Sequence, residues 1–210
     1  GVCSPAFMTA LVTALKKRWP ELVLHYHRHA TDGLFLPACA AAVQAGCEIL
    51  DAGLGASVRS YGQGDLLSLA AYLEDELGMK TLINREAISK ANFAAKQVMP
   101  YFDRYCSPYF QGVDYEVTRY QMPGGATSSS PEGAVKQGYI QLLPFMLEFL
   151  ECTRRIVRYH DVTPGSQITW NTAFLAVTGA YKRGGMPAVE RLLAAIRMAG
   201  TKKTDLTAEE

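Results

Sequence analysis

The pattern of apolar and polar positions along the 210-residue chain predicts two kinds of organisation in succession. Ser4-Pro5 is a helix start, a capping hydroxyl before a proline at the first helical position. Phe7, Leu11, Ala14 and Leu15 continue as a helical stripe, with Lys16, Lys17 and Arg18 in the last turn and Pro20 closing it. Glu21 to His29 reads as a strand, and a second helix runs from Gly33 through Gln44 to a stop at Gly46. Cys47 to Asp51 reads as a short buried strand. A loop rich in glycine (Gly53, Gly55, Gly62, Gly64) then leads into a third helix, from about Asp65 to Leu77, ended by Gly78. Helix, strand, helix, strand, helix over about 80 residues predicts parallel β/α units. Two parallel strands cannot make a sheet covered on both faces. More sheet-forming chain is therefore expected upstream, and the opening at Gly1 rather than a Met accords with a piece of a larger protein.

From Asn84 the pattern turns helical. Asn84 caps a helix reaching about Cys106, bent or broken near Pro100. Tyr115 to Tyr120 alternates like a short strand or extended arm, and Met122-Pro123-Gly124-Gly125 is a turn. A helix starting at Ser130-Pro131-Glu132 is expected to be interrupted by Pro144 and to resume to about Arg158. Val162-Thr163-Pro164-Gly165-Ser166 breaks the chain before a helix from about Gln167 to Tyr181, and a last helix covers about Pro187 to Met198. The expected division is residues 1–80 as β/α units, 81–200 as a helical region, and 201–210 as a charged, flexible tail or linker.

Composition narrows the function. Apolar content of 49% and a net charge of +1 suit a domain with a substantial core, and give no electrostatic reason to expect nucleic acid as a partner. The five cysteines form no C-x-x-C pair, which fits buried thiols in a reducing cytoplasm better than a disulfide framework. No apolar run approaches the ~20 residues that span a bilayer, so no direct membrane insertion is expected. The nucleotide-binding glycine fingerprints and the G-x-S-x-G nucleophile elbow are absent. Tyr101, Phe102, Tyr105, Tyr109 and Phe110 form an aromatic cluster that reads as core or interface packing.

One stretch carries chemistry. Leu24 to Gly33 holds three of the four histidines, His25, His27 and His29, spaced two apart on the predicted strand. Side chains two apart share a face, with Cα atoms roughly 6.5–7 Å from each other. Such a spacing suits imidazoles converging on a metal at about 2.0–2.1 Å. A polar strand with histidines bonded within a sheet or facing solvent gives the same pattern. In β/α barrels the functional residues lie at the C-terminal ends of the strands, and His27 and His29 occupy that end while His25 lies deeper. Two neutral imidazoles do not fill a divalent metal's shell, so further ligands must come from elsewhere.

His25 to Gly33, the Gln44-Ala45-Gly46 helix end and Ile49-Leu50-Asp51 closely resemble strands seven and eight of the carboxyltransferase barrel of biotin-dependent enzymes. That family comprises pyruvate carboxylase, the α subunit of oxaloacetate decarboxylase and the transcarboxylase central subunit. Met122-Pro123-Gly124-Gly125 and Val162-Thr163-Pro164-Gly165-Ser166 resemble two further family motifs, in the same order. The resemblance implies an α/β fold: the C-terminal part of a TIM (β/α)8 barrel, its last two strands, followed by a mainly helical region closing over the barrel mouth. It assigns metal ligation to His27 and His29, leaves His25 as a deeper supporting or packing residue, gives Thr163 a proton-shuttling catalytic role, and places Ser166 in the biotin pocket. The implied cofactors are a divalent metal (Zn, Mn or Co) and biotin carried on another domain or subunit. The implied partners are pyruvate or oxaloacetate, the biotinyl carrier, the missing N-terminal barrel half and further copies in a homo-oligomer. The chain departs from the family at Ala126-Thr127-Ser128-Ser129-Ser130, where Q-x-(T/S)-N-L is usual, and in the loop Ala52 to Gly64. Two other readings remain open: a metal-dependent aldolase or lyase of the hydroxymethylglutaryl-CoA lyase type, which shares H-x-H, and a non-catalytic fragment or interface module.

Overall fold

The capping hydroxyl of Ser4 accepts the Phe7 N–H at 3.2 Å and opens α1 (Pro5–Arg18). The structure, a computed structural model, describes residues 3–58, 62–105, 113, 115, 131–157 and 163–204. The chain divides into two compact units, Gly1–Thr118 and Arg119–Glu210. Residue 80 lies within the first.

In the first unit α1 packs on α2 (Phe35–Gln44) through Met8 and Val12, which are buried with Ala42 and Cys47. The predicted stripe is displaced: Phe7 and Leu11 are exposed. Apolar residues at 7, 8, 11, 12 and 15 wrap more of the helix than one neighbour covers, and the Met8–Val12 side takes the contact. Between the helices β1 (His25–Tyr26) pairs in parallel with β2 (Ile49–Leu50), His25 opposite Ile49. Both strands are shorter than the sequence predicts. Each has only the other as a ladder neighbour among the described residues, and the regular pairing covers two residues of each. Ile49 is exposed, so β2 is not the buried strand expected.

After β2 come a single helical turn, α3 (Gly55–Val58), and α4 (Leu66–Ala71), whose N-terminus Asp65 caps by accepting the Ser68 N–H at 2.9 Å. The chain widens into a π-helical segment over Tyr72–Glu76 and turns at left-handed Gly78. Asn84 caps α5 (Arg85–Val98), accepting from Ala87 N–H at 3.0 Å, and a 3₁₀ segment, Met99–Tyr105, follows where Pro100 predicts the break. No residue of α5 is buried, and Tyr101, Phe102 and Tyr105 are exposed, which overturns the core reading of the aromatic cluster; Tyr109 and Phe110 lie outside the described residues.

The second unit begins its described part with a helical stretch over 131–136 and a turn at left-handed Gly138. A 3₁₀ turn, Ile140–Leu142, leads into α6 (Leu143–Val157). The interruption thus falls at Gly138 rather than Pro144, which sits in the first turn of α6, where its missing N–H breaks no helical bond. The last helix, α7 (Thr163–Thr204), starts earlier than the predicted Gln167 and is broken at Gly184-Gly185. Gly185 adopts φ +61°, a left-handed conformation natural to glycine. Leu142, Met146 and Leu150 form one core with Trp170, Ala173, Val177 and Ala180 before the break and Val189 and Leu193 after it. Thr201 to Thr204 are helical where a tail is expected. The Met122–Gly125 motif and all of the Tyr115–Tyr120 arm but Tyr115 lie outside the described residues.

The described cysteines Cys3, Cys39, Cys47 and Cys152 are free, with Cys39 and Cys47 buried. Among the described residues no helix is long and apolar enough to cross a membrane. The architecture is α/β and mostly helical.

Candidate functional site

Alternation along the segment around β1 sorts its side chains. Tyr26 and Arg28 face inward, while the side chains of His25 and His27 are 53% and 52% exposed. On the inner side the Arg28 guanidinium is buried and pairs with the buried carboxylate of Asp32. It also donates to the Cys3 carbonyl at 2.6 Å and to the Tyr26 hydroxyl at 3.3 Å. Asp32 Oδ1 accepts the Leu34 N–H at 3.0 Å, so the same carboxylate steadies the entry to α2. Burial pushes the Tyr26 phenol up to about 12, against the opposing pull of Arg28.

On the outer side the imidazoles meet Asp51. The parallel register pairs Tyr26 with Leu50, and continuing it by one residue sets Asp51 across from His27. Asp51 N–H donates to the Tyr26 carbonyl at 3.1 Å, extending the ladder. Its Oδ1 lies 2.6 Å from His25 Nε2 and its Oδ2 2.7 Å from His27 Nδ1. The hydrogen bonds from His25 and then His27 hold this carboxyl below the usual carboxylate range. It is therefore ionised at neutral pH.

The rings of His27 and His29 approach edge to face with centroids 5.4 Å apart. The loop after β2 reaches back over them. Ala30 N–H donates to the Gly62 carbonyl at 2.8 Å, His29 bridges to Gln63, and Gly53 N–H donates to the Gly64 carbonyl at 3.0 Å. A Cβ on Gly64 would fall 2.0 Å from Phe35 Cδ1, so this lacing depends on a residue without a side chain. It brings Gln63 Nε2 within 3.4 Å of His27 Nε2.

Of the residues singled out in the sequence, His27 and His29 are brought together. His25 is not the deep residue expected; it is as exposed as His27 and shares its carboxylate. Thr163 and Ser166 lie in the first turn of α7, with side chains outside the described structure. Asp51 and Gln63 are the members that the sequence pattern did not reveal. Asp51 could have been found as the residue that follows β2 in parallel register with H-x-H. Gln63 is placed by the loop alone and leaves no such signal. Among the described residues no three His, Cys, Asp or Glu side chains are arranged to hold a metal ion. The donor set is two adjacent imidazoles, one braced by a carboxylate. This fits part of a divalent-metal shell and leaves its remaining ligands to other residues.

Residues 117–203 match the family described as a conserved carboxylase domain. The chain is 28% identical to a pyruvate carboxylase subunit of Methanothermobacter thermautotrophicus, a match covering 84% of this chain and 31% of that protein. It is 24% identical to the methylmalonyl-CoA carboxyltransferase 5S subunit of Propionibacterium freudenreichii, over 82% of this chain and 34% of that one. The chain thus spans about a third of each of these two relatives. Among solved structures, the carboxyl transferase domain of Rhizobium etli pyruvate carboxylase with pyruvate superposes with a TM-score of 0.72 at 25% identity. That match covers 85% of this chain and 30% of the other.

Proposed function

The chain resembles the carboxyltransferase domain of the pyruvate carboxylases over most of its length, and on that premise we propose that it forms part of a site moving a carboxyl group between carboxybiotin and a small 2-oxo acid, pyruvate or oxaloacetate. In this reading β1 and β2 are the last two strands of a (β/α)8 barrel, residues 1–80 are its closing units, and 81–200 form the helical region over its mouth. The observation that carries the reading is the His27–His29 pair, emerging from the C-terminal end of a parallel strand with rings 5.4 Å apart.

His27 and His29 hold a divalent metal together with ligands from barrel strands outside this chain. When bound, that ion supplies Lewis-acid polarisation of the keto oxygen and stabilises the negative charge that develops there. The imidazoles ligate through a ring nitrogen that carries no proton. The Thr163 hydroxyl would relay a proton between biotin N1 and the enol of pyruvate, and Ser166 would line the biotin pocket. Biotin arrives on a carrier domain or subunit, and the 210-residue chain alone is inactive. The complete protein works as a homo-oligomer in the cytoplasm.

The test is the double variant His27→Ala/His29→Ala in the complete protein. Bound metal, measured by atomic emission, and biotin-dependent carboxyl exchange between pyruvate and oxaloacetate are expected to disappear together. Full metal occupancy in the double variant overturns the assignment.

A further inference from the structure

The Asp51 carboxylate touches two of the three clustered histidines through side-chain bonds, and the atoms it touches differ. It meets His25 through Nε2 and His27 through Nδ1. An ionised carboxylate only accepts, so each of these ring nitrogens must donate. A neutral imidazole carries one N–H; with the His27 proton on Nδ1, its Nε2 presents a lone pair. The Gln63 amide supports that assignment from the other side of the ring, placing its Nε2, a donor, 3.4 Å from His27 Nε2. His25 is set the opposite way, with its proton on Nε2 toward Asp51.

We propose that Asp51 is a positioning residue: with His25 bracing its other oxygen, it fixes the tautomer and ring plane of His27 so that Nε2 is the atom offered to a metal. The inference rests on the reading of His27 as a ligand and adds to it which nitrogen binds and what selects that nitrogen. It also gives His25 a function, since the His25 bond keeps the carboxylate from rotating away from His27. A ligating imidazole whose second nitrogen is held in this way is both oriented and made more basic. Without the carboxylate the His27 ring can carry its proton on either nitrogen and turn about its side-chain torsions, and the donor atom is presented only part of the time.

The decisive readout needs no metal and no turnover. In the ¹⁵N-labelled 210-residue chain, long-range ¹H–¹⁵N correlation of the imidazoles is expected to show His27 protonated on Nδ1 and His25 on Nε2. In Asp51→Ala, His27 is expected to become a mixture of tautomers, and Asp51→Glu to restore the Nδ1–H form in part. Protection of the buried Cys39 thiol in each variant confirms that the fold is kept. Titration of the complete protein with Co²⁺, followed by its visible absorption, is expected to show a roughly 10–100-fold weaker affinity with Asp51→Ala than without it, with Asp51→Glu between them. The proposal is overturned if His27 carries its proton on Nε2 in the unmodified chain, or if Asp51→Ala leaves the Co²⁺ affinity of the complete protein unchanged. Tautomers that follow Asp51 in the 210-residue chain, with no Co²⁺ taken up by the complete protein, uphold the clamp while removing the metal reading, so the two failures are separable.

Discussion

The two units keep their shape by different means. In the second, α6 and both parts of α7 contribute to one continuous apolar core, with Leu142, Met146, Leu150, Val177, Val189 and Leu193 almost fully buried. In the first, burial is divided between two smaller groups, Met8, Val12, Ala42 and Cys47 on one side and Phe35, Cys39, Leu69 and Leu73 on the other. Polar links tie its loops instead: Arg28 with Asp32, Lys16 with Glu48, and Asp51 with two histidines. A site can be set accurately by short hydrogen bonds on a scaffold whose apolar burial is divided. It then depends on those bonds far more than a helical pair with a continuous core depends on any polar contact.

The sharpest way to break this contrast is at the buried ion pair. Asp32→Ala leaves the Arg28 guanidinium buried without its counter-charge and removes the acceptor of Leu34 N–H, and is expected to cost about 3–5 kcal/mol. Cys39 reports the loss in the first unit alone. Burial pushes its thiol up to about 12, so it reacts only when this unit opens, and its labelling is expected to accelerate sharply. Leu150→Ala tests the other side. It leaves a cavity in the α6–α7 core and is expected to cost roughly 2–5 kcal/mol in urea unfolding, with Cys39 labelling unchanged. If Leu150→Ala exposes Cys39 as much as Asp32→Ala does, the units are not energetically separate. The smallest effect belongs to Phe93→Ser on the face of α5: the ring is 70% exposed, and a change within about 0.5 kcal/mol is expected by the same unfolding measurement.

The elements that local chemistry dictates were legible in advance. Ser4, Asp65 and Asn84 cap helices because their side chains satisfy N–H groups that any helix start leaves open. Gly46 and Gly78 end elements in left-handed turns for an equally local reason. Where a tertiary neighbour decides, the pattern misleads. The apolar stripe of α1 turned toward Met8 and Val12, the described aromatic residues after α5 stayed outside, and the regular pairing of the strands covered only two residues of each. The candidate site divides along the same line. H-x-H shows its two imidazoles in the sequence, since strand period alone places them on one face. Asp51 needs the β1–β2 register, and Gln63 needs the path of a loop held by Gly62 and Gly64, so neither could be read from spacing.

The ion pair beneath the histidines has one more consequence. Arg28 stands between His27 and His29 in the chain, and its guanidinium is committed to Asp32 on the inner side. In extended chain a slip of one residue exchanges the two faces completely. Such a slip here would swing a charged guanidinium away from its carboxylate partner and carry imidazoles into the apolar side in its place. The buried pair therefore works as an indexing pin: it makes every misaligned threading of this segment expensive, and so decides which way the histidines point before any ion or substrate arrives.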